Sequence, residues 1–173
     1  MNKGLVHVFT GDGKGKTSAA LGVSVRAVCA GMKVVVVQWY KTQDWNISEH
    51  KLPGFMDGIE VLPMGEGFYK LPTDKKDPKK HKDAAKKALK KSESLLGRVD
   101  VLVLDEINNA VHDGLLSIDA VVELMKKRGK THLILTGRNV DKKITEVADL
   151  VTEMKKIKHP FDKGLKAVKG LDF

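Results

Sequence analysis

The sequence has little cysteine and no long apolar run, and both shortages limit what the protein can be. Its single cysteine, Cys29, excludes an intramolecular disulfide and is typical of a reducing cytoplasm. Cys29 lies in an apolar, helix-forming stretch, so we expect it to be a small core residue. No apolar run is long enough to span a bilayer, and we expect no signal peptide before the first strand. These features favour a soluble cytoplasmic protein.

Arginine is also scarce, because all but four of the 31 basic residues are lysines. Base readout and bidentate phosphate binding usually rely on arginine. The densest lysine run, Lys70 to Lys91, also contains three aspartates, and we expect it to be a solvent-exposed helix face. A nucleic-acid-binding surface is the alternative explanation for the net charge of +9.

Motifs for several kinds of chemistry are missing. The six histidines show no close pairing and no zinc-ligand spacing. No nucleophile elbow and no zincin helix occurs. The sequence therefore gives no support for a structural transition metal, for acyl transfer or for metalloproteolysis.

A glycine-rich octamer, TGDGKGKT, is present at residues 10–17. An apolar strand at residues 5–9 runs directly into it, and an Ala-rich helix at residues 18–30 runs directly out of it. A strand before and a helix after such an octamer are the context of a phosphate-binding loop. The helix is apolar nearly all round, so we expect it to be buried.

Each residue type in this octamer has a physical role. Thr10 stands where loops of the form GxxxxGK[ST] begin with glycine, although three further glycines keep the backbone permissive. Backbone N–H groups of such a loop close around phosphate oxygens. Lys16 then neutralises phosphate charge, and the Thr17 hydroxyl is placed to hold magnesium. The alternative is an ordinary glycine-rich turn.

The rest of the chain alternates short strands with helices. Predicted strands cover residues 33–39, 59–62, 99–104, 132–135 and 150–154, and predicted helices cover residues 78–96, 118–128 and 142–148. Alternation of this kind predicts right-handed crossovers and a mostly parallel central sheet with helices on both faces. The length of 173 residues and the 42% hydrophobic content fit a single α/β domain spanning residues 1–173.

Polar residues follow several of the predicted strands. They are residues 38–41 after the second strand, Asp105 and Glu106 at the end of VLVLDE, and Arg138 and Asn139 after LILTG. Ligands of parallel sheets bind beyond the carboxyl ends of the strands. Carboxylates there can hold hydrated magnesium against phosphates, and Arg138 and Asn139 can contact nucleotide. The alternatives are acidic turn residues and an ordinary strand-to-helix turn.

Several stretches together resemble one family. They are TGDGKGKTSAALG, VVVVQWYK, VLDEINNAV, LTGRN, ADLVTEM and KHPFDKGLKAVKGLDF. Over nearly the whole chain they are similar to the ATP:corrinoid adenosyltransferases of the phosphate-loop type. The resemblance implies a phosphate-loop, RecA-like architecture. It also implies that the 5′-deoxyadenosyl group of ATP is transferred to the Co(I) centre of cobalamin or a precursor, with release of triphosphate.

The resemblance and the strand-end pattern together predict the site residues. The nucleotide-binding set is Gly11, Asp12, Gly13, Lys14, Gly15, Lys16, Thr17, Ser18, Arg138 and Asn139. The magnesium set is Thr17, Asp105 and Glu106, and the catalytic set is Lys16, Glu106 and Phe68. The cofactor is Mg²⁺, and ATP and the corrinoid are substrates. Because Co(I) is itself a strong nucleophile, no general base is needed.

The assignment of Phe68 rests on a partial match. The family uses aromatic residues in a loop of the GFxW kind to help displace the lower ligand of the cobalt. Here Gly67 and Phe68 match, but Tyr69 and Lys70 follow and the tryptophan is missing. The alternative is a phenylalanine that closes the loop onto the core. Many relatives also carry an N-terminal extension over the active site, whereas this sequence begins almost at its first strand, so corrinoid shielding is expected to be looser or to come from another segment.

The resemblance further implies a homodimer and a flavoprotein reductant. The scarcity of arginine and the lack of a long apolar run favour no specific nucleic acid and no membrane as partners. Two other functions stay open on the residues alone. A small nucleotide kinase or phosphohydrolase uses the same loop, although such kinases usually present several arginines to the transferred phosphoryl group. A basic nucleic-acid-associated ATPase is favoured only by the charge.

Overall fold

Six strands form one sheet in the computed structural model, which describes residues 3–173. They are β1 (Val6–Thr10), β2 (Val34–Gln38), β3 (Ile59–Pro63), β4 (Val101–Asp105), β5 (His132–Thr136) and β6 (Leu150–Glu153). Their order across the sheet is β3-β2-β4-β5-β1-β6, and every neighbouring pair is parallel. The predicted parallel sheet is confirmed, with each strand within about two residues of its predicted bounds.

Five helices connect these strands in the described part of the chain. They are α1 (Lys16–Cys29), α2 (Pro78–Leu95), α3 (Ile107–His112), α4 (Ile118–Lys126) and α5 (Lys142–Val147). Short 3₁₀ turns occupy Ser48–Gly54 and Pro160–Lys163. The side chains of Asp77, Ser117 and Asp141 accept hydrogen bonds from backbone N–H groups at the starts of α2, α4 and α5, as helix caps do. Within residues 3–173, no helix combines the length and the apolar character needed to cross a membrane.

Helix α3 was not predicted. It begins directly after β4 and has six residues, INNAVH. A helix of fewer than two turns does not repeat its apolar residues often enough to give a periodic signal. Its position matters because its N-terminal end lies at the strand edge where the candidate site residues converge.

Apolar side chains pack on both faces of the sheet, and β2 and β4 are buried along their whole length. On one face, residues of β1, β4 and β5 pack against α2, α3, α4 and α5. On the other face, Val34, Val36, Val103 and Ile134 pack against Ala20 and Ala27 of α1. The continuous β-branched sequence of β2 is thus explained by its position inside the sheet with helices on both sides.

Helix α1 differs from its prediction. Only Lys16, Ala20, Ser24 and Ala27 are buried, and Cys29 is exposed. The predictions of an all-round buried helix and of a core cysteine are therefore wrong. One side of α1 packs on the sheet, and its other side faces solvent. The apolar composition of the helix did not indicate this exposed side.

Arg128, which follows α4, forms hydrogen bonds that connect segments near the amino ends of the strands. Its buried guanidinium donates to the backbone oxygens of Gly4 at 2.5 Å and Met125 at 2.8 Å, and contacts the Asp149 carboxylate at 3.4 Å. Asp149 also accepts a hydrogen bond from the backbone N–H of Val6 at 2.7 Å. These contacts fix the start of β1, the strand that leads to the phosphate loop.

Replacing Arg128 with Met should destabilise the protein by about 1–3 kcal/mol, because buried carbonyl oxygens lose their donors. Urea unfolding of the Arg128→Met variant measures this. Arg98 is an exposed arginine, so Arg98→Met is the matched control and should change stability by less than about 0.5 kcal/mol. Equal unfolding midpoints for the two variants would contradict the anchoring role of Arg128.

Candidate functional site

The loop between β1 and α1 is held tightly against the end of β6. The N–H of Gly13 donates to the backbone oxygen of Met154 at 2.6 Å. A Cβ atom on Gly11 would lie 2.4 Å from that oxygen, and one on Gly13 would lie 2.6 Å from it. Gly15 has a φ of 111° at the start of α1, which favours glycine. Close packing and backbone conformation therefore explain the three glycines of the octamer.

Lys16 lies inside this loop. Its ammonium is buried and donates to the backbone oxygen of Gly13 at 2.7 Å. Burial lowers the pKa of Lys16 below its ordinary value, while the nearby Glu106 carboxylate acts in the opposite direction. The loop thus curls around a cation at the N-terminus of a 14-residue helix, which is an arrangement suited to binding an anion.

Asp105, the last residue of β4, is fully buried and accepts four hydrogen bonds. Its Oδ1 accepts from the hydroxyls of Thr17 and Thr136, each at 2.8 Å. Its Oδ2 accepts from Gln38 Nε2 at 3.1 Å and from Lys41 Nζ at 3.3 Å. One carboxylate therefore connects the phosphate loop with the ends of β2 and β5 and with the loop after β2.

This network continues into the 3₁₀ turn at Ser48–Gly54. Lys41 also contacts Glu49 at 2.5 Å, and His50 Nε2 lies 2.9 Å from Gln38 Oε1. Burial alone would lower the pKa of Lys41, but the carboxylates of Asp105 and Glu49 together raise it. Lys41 is therefore held as a charged ammonium between two carboxylates.

Glu106 has a different environment from Asp105. Its backbone is left-handed, with a φ of 68°, and its N–H donates to the Thr136 hydroxyl at 2.9 Å. Within the described residues, its buried Oε2 has no hydrogen-bond partner. Burial and the neighbouring Asp105 carboxylate raise the pKa of Glu106 to about 7. An unpartnered buried carboxyl oxygen beside a phosphate loop marks a candidate position for a ligand.

Arg138 and Asn139 lie in the connection that follows β5. The backbone N–H of Arg138 donates to Asn109 Oδ1 of α3 at 2.6 Å. Both residues line a cleft of about 570 Å³ with Gly11 and Asp12. Arg138 also lines the cleft that contains Lys16, whereas Asn139 does not. Arg138 thus borders both clefts, including the one that contains Lys16.

Phe68 lies at the mouth of the site and is 50% exposed. Its ring centroid is 5.2 Å from that of Trp45 and 6.3 Å from that of Tyr40. Tyr69, the next residue, turns away and packs against His81 and the core. Trp45, which comes from another loop, therefore packs beside Phe68, whose own loop has no tryptophan.

The remaining predicted loop residues contact the last part of the chain. Asp12 Oδ1 accepts from the backbone N–H of Lys156 at 3.1 Å, and Lys14 forms an ion pair with Asp172. Ser18 and Thr17 line a cleft of about 510 Å³ together with Phe173 and other residues of this segment. The predicted nucleotide-binding residues therefore line several separate clefts around the phosphate loop and not one open pocket.

The sequence identified part of this network and missed the rest. Residues 38–41 were expected at this edge, and Gln38 and Lys41 do contact Asp105. Thr136 was missed, although a threonine that ends a buried strand at the same edge was a usable signal. Glu49, Trp45 and Asp172 were missed because they lie in loops and terminal segments that have no periodic pattern.

Two solved structures show the same fold. The KaiC-like protein PH0186 from Pyrococcus horikoshii is 18% identical, covers 91% of this chain and 76% of its own, and gives a TM-score of 0.53. The flagellar accessory protein FlaH from Methanocaldococcus jannaschii is 17% identical, covers 87% of this chain and 70% of its own, and gives a TM-score of 0.59. Together they confirm the predicted RecA-like architecture.

The sequence comparisons are more specific. The corrinoid adenosyltransferase of Sinorhizobium sp is 39% identical over 99% of this chain and 81% of its own length. The corrinoid adenosyltransferases of Pseudomonas aeruginosa and Escherichia coli K12 are 37% and 36% identical, again over 99% of this chain, and over 84% and 86% of their own lengths. The family described as ATP:corrinoid adenosyltransferase BtuR/CobO/CobP matches residues 2–173. The chain therefore belongs to the ATP:corrinoid adenosyltransferase family.

Proposed function

We propose that this protein transfers the 5′-deoxyadenosyl group of ATP to the Co(I) centre of a corrinoid, which is cobalamin or a precursor. The cobalt–carbon bond forms as the bond from C5′ to the triphosphate oxygen breaks, and the electron pair of that bond leaves with triphosphate. The cobalt provides the electrons for the new bond and becomes formally Co(III). The observation that carries this proposal is a complete phosphate loop in a chain that matches the family from residue 2 to residue 173.

The protein's part in this reaction is to hold and neutralise the leaving triphosphate. Lys16 is buried in the loop, and the cleft beside it is also lined by Lys14 and Arg138. Negative charge that develops on a leaving group is stabilised best by cations and N–H groups already fixed in place. We propose that these three side chains and the loop amides provide that stabilisation, and that Gly11, Asp12, Gly13, Gly15, Ser18 and Asn139 complete the nucleotide site.

Magnesium is the proposed cofactor. When bound it would neutralise phosphate charge. The residues fit it, because the unpartnered Oε2 of Glu106 is an oxygen ligand in need of a partner and Asp105 fixes the Thr17 hydroxyl nearby. Within residues 3–173, no group of three or more His, Cys, Asp or Glu side chains is arranged to hold a metal. The proposed ion therefore depends on phosphate oxygens and water for its other ligands.

The corrinoid is proposed to bind against Phe68. This ring is half-exposed, lies in contact with Trp45 and borders the clefts on both sides of the phosphate loop. A flat, largely apolar ring system packs well on exposed aromatic side chains. We propose that Phe68 presses on the corrinoid to help remove its lower cobalt ligand, with Trp45 supporting the ring.

The proposal has four further features. The family implies a homodimer and a flavoprotein reductant, and the sequence predicts a single domain over residues 1–173 and a cytoplasmic location. One six-stranded sheet with elements from both ends of the chain supports the single domain. A nucleotide kinase is less well supported, because Arg138 is the one arginine that lines a cleft at the loop in the described residues.

The reaction products separate these functions. With ATP and a chemically reduced Co(I) corrinoid, we expect triphosphate and an adenosylated corrinoid, detected by chromatography, whereas ADP would indicate phosphoryl chemistry.

Lys16→Ala should raise the Kd for ATP about 10- to 100-fold and nearly abolish turnover, because a buried charged hydrogen-bond partner contributes ~1.5–3 kcal/mol. Exposed Lys33, at the opposite edge of the sheet, provides the control Lys33→Ala, which should behave like wild type. Normal ATP affinity in a folded Lys16→Ala protein would reject the phosphate-loop assignment.

Glu106→Gln tests the magnesium proposal, because the amide keeps the size of the side chain but removes its charge. We expect the magnesium concentration for half-maximal activity to rise about tenfold, as for the loss of one charged ligand interaction worth ~1.4 kcal/mol or more. Glu60 is exposed on β3, so Glu60→Gln is the matched control. A magnesium titration unchanged from wild type would argue that Glu106 does not serve the metal.

Phe68→Ala separates a corrinoid contact from a packing role. If Phe68 helps remove the lower ligand, activity should fall mainly with Co(II) corrinoid supplied through a protein reductant, and should largely return with pre-reduced Co(I) corrinoid. Phe55 is an exposed phenylalanine outside these clefts, and Phe55→Ala should not distinguish the two assays. Equal losses in both assays with a lower melting temperature would show that Phe68 acts through packing on Trp45 and Tyr40.

A further inference from the structure

The segment Val168–Phe173, here called the strap, folds over the phosphate loop as a self-contained turn. The N–H of Val168 donates to the Asp172 carboxylate at 2.6 Å, and the N–H of Asp172 donates to the backbone oxygen of Val168 at 2.8 Å. The N–H of Gly170 donates to the backbone oxygen of Phe173 at 2.8 Å. Because its hydrogen bonds are mostly internal, the strap can move without losing its own structure.

The strap is attached to the rest of the protein by few polar contacts. Within residues 3–173 these are the ion pair between Asp172 and Lys14, and a hydrogen bond from the Ser48 hydroxyl to the backbone oxygen of Phe173 at 3.0 Å. The side chains of Lys14 and Asp172 are 43% and 25% exposed. An ion pair with this much solvent contact is weak and is screened by salt. The polar contacts therefore contribute little free energy to holding the strap closed.

Two clefts beside the phosphate loop meet at Asp172. One cleft, of about 490 Å³, contains Lys16 and Arg138, and the other, of about 510 Å³, contains Thr17 and Glu106. Asp172 and Phe68 are the residues that line both clefts. Lys16 and Thr17 are neighbours in a loop whose residues bind one polyphosphate together. A polyphosphate that reaches both clefts therefore comes next to the carboxylate of Asp172.

The ion pair between Lys14 and Asp172 competes with phosphate for the same ammonium group. A carboxylate and a phosphate are both anions, and one ammonium group cannot pair fully with each of them at the same place. The hydrogen bond from Lys14 lowers the pKa of Asp172, so this carboxylate is ionised at neutral pH. It would repel an incoming polyphosphate as well as compete with it for Lys14.

We infer that the strap is an autoinhibitory element whose Asp172 occupies Lys14 until the polyphosphate of a nucleotide displaces it. This inference rests on the proposed function, since it needs nucleotide at the phosphate loop. Displacement frees Lys14 for the phosphates and joins the two clefts into one site. With Asp172 displaced, the loop residues that line the two clefts can face a single polyphosphate.

Removing the charge of Asp172 tests this competition. The Asp172→Asn variant should bind ATP about two- to fivefold more tightly than wild type, the size expected for loss of an exposed ion pair, and the difference should shrink as salt is raised from about 0.05 to 0.5 M. Isothermal calorimetry measures both Kd values. Asp162 provides the matched control, because it lies in the same terminal segment and pairs with Lys156 at 2.9 Å instead of with the loop. Asp162→Asn should bind ATP as wild type does.

Movement of the strap has its own readout. Trypsin cuts after lysine, and Lys169 lies within the strap, so inorganic triphosphate should speed cleavage after Lys169 in the full-length wild-type protein. Equal Kd values for Asp172→Asn and wild type, or slower cleavage with triphosphate, would overturn the strap inference while leaving the phosphate site intact. No ATP binding to wild type or to either variant would overturn the proposed function itself, and the strap inference with it.

Discussion

The buried carboxylate of Asp105 is the interaction on which the rest of the site depends. An ionised carboxylate removed from water is very unfavourable unless its oxygens are paired, and here four donors satisfy them. Those donors come from the phosphate loop, from the end of β2, from the loop after β2 and from the end of β5. The cost of leaving Asp105 unpaired therefore fixes four segments of the chain relative to one another.

Glu106, the neighbour of Asp105, has a buried carboxyl oxygen and is not fully hydrogen-bonded. Glu106 is buried, has a left-handed backbone and has one carboxyl oxygen without a partner, and its pKa is raised to about 7. Such residues are unfavourable for stability and persist where they serve a ligand. The two adjacent carboxylates thus differ: Asp105 holds the site together, and Glu106 is the carboxylate that we propose as a magnesium ligand.

Aromatic side chains and the last residues of the chain also border the site, next to the polar residues around Asp105. Trp45 contacts Phe68 from a loop that is 23 positions away in the sequence, and Asp172 reaches Lys14 across 158 positions. Neither contact contributes to the hydrophobic core, and both occur where the substrates are proposed to bind. Loops and terminal segments can move with little loss of core packing, so they are suited to a site that must open for two large substrates.

The sequence by itself determined the parallel sheet, the phosphate loop and the acidic end of β4. These follow from alternating apolar strands and helices and from glycine, lysine and threonine at fixed spacing, which are properties of neighbouring residues. Only the tertiary structure decided that Asp105 is fully paired and Glu106 is not, that Trp45 packs beside Phe68, that Cys29 is exposed, and that Asp172 pairs with Lys14. The physical reason is that pairing and burial depend on which distant segments meet, and local sequence patterns do not contain that information.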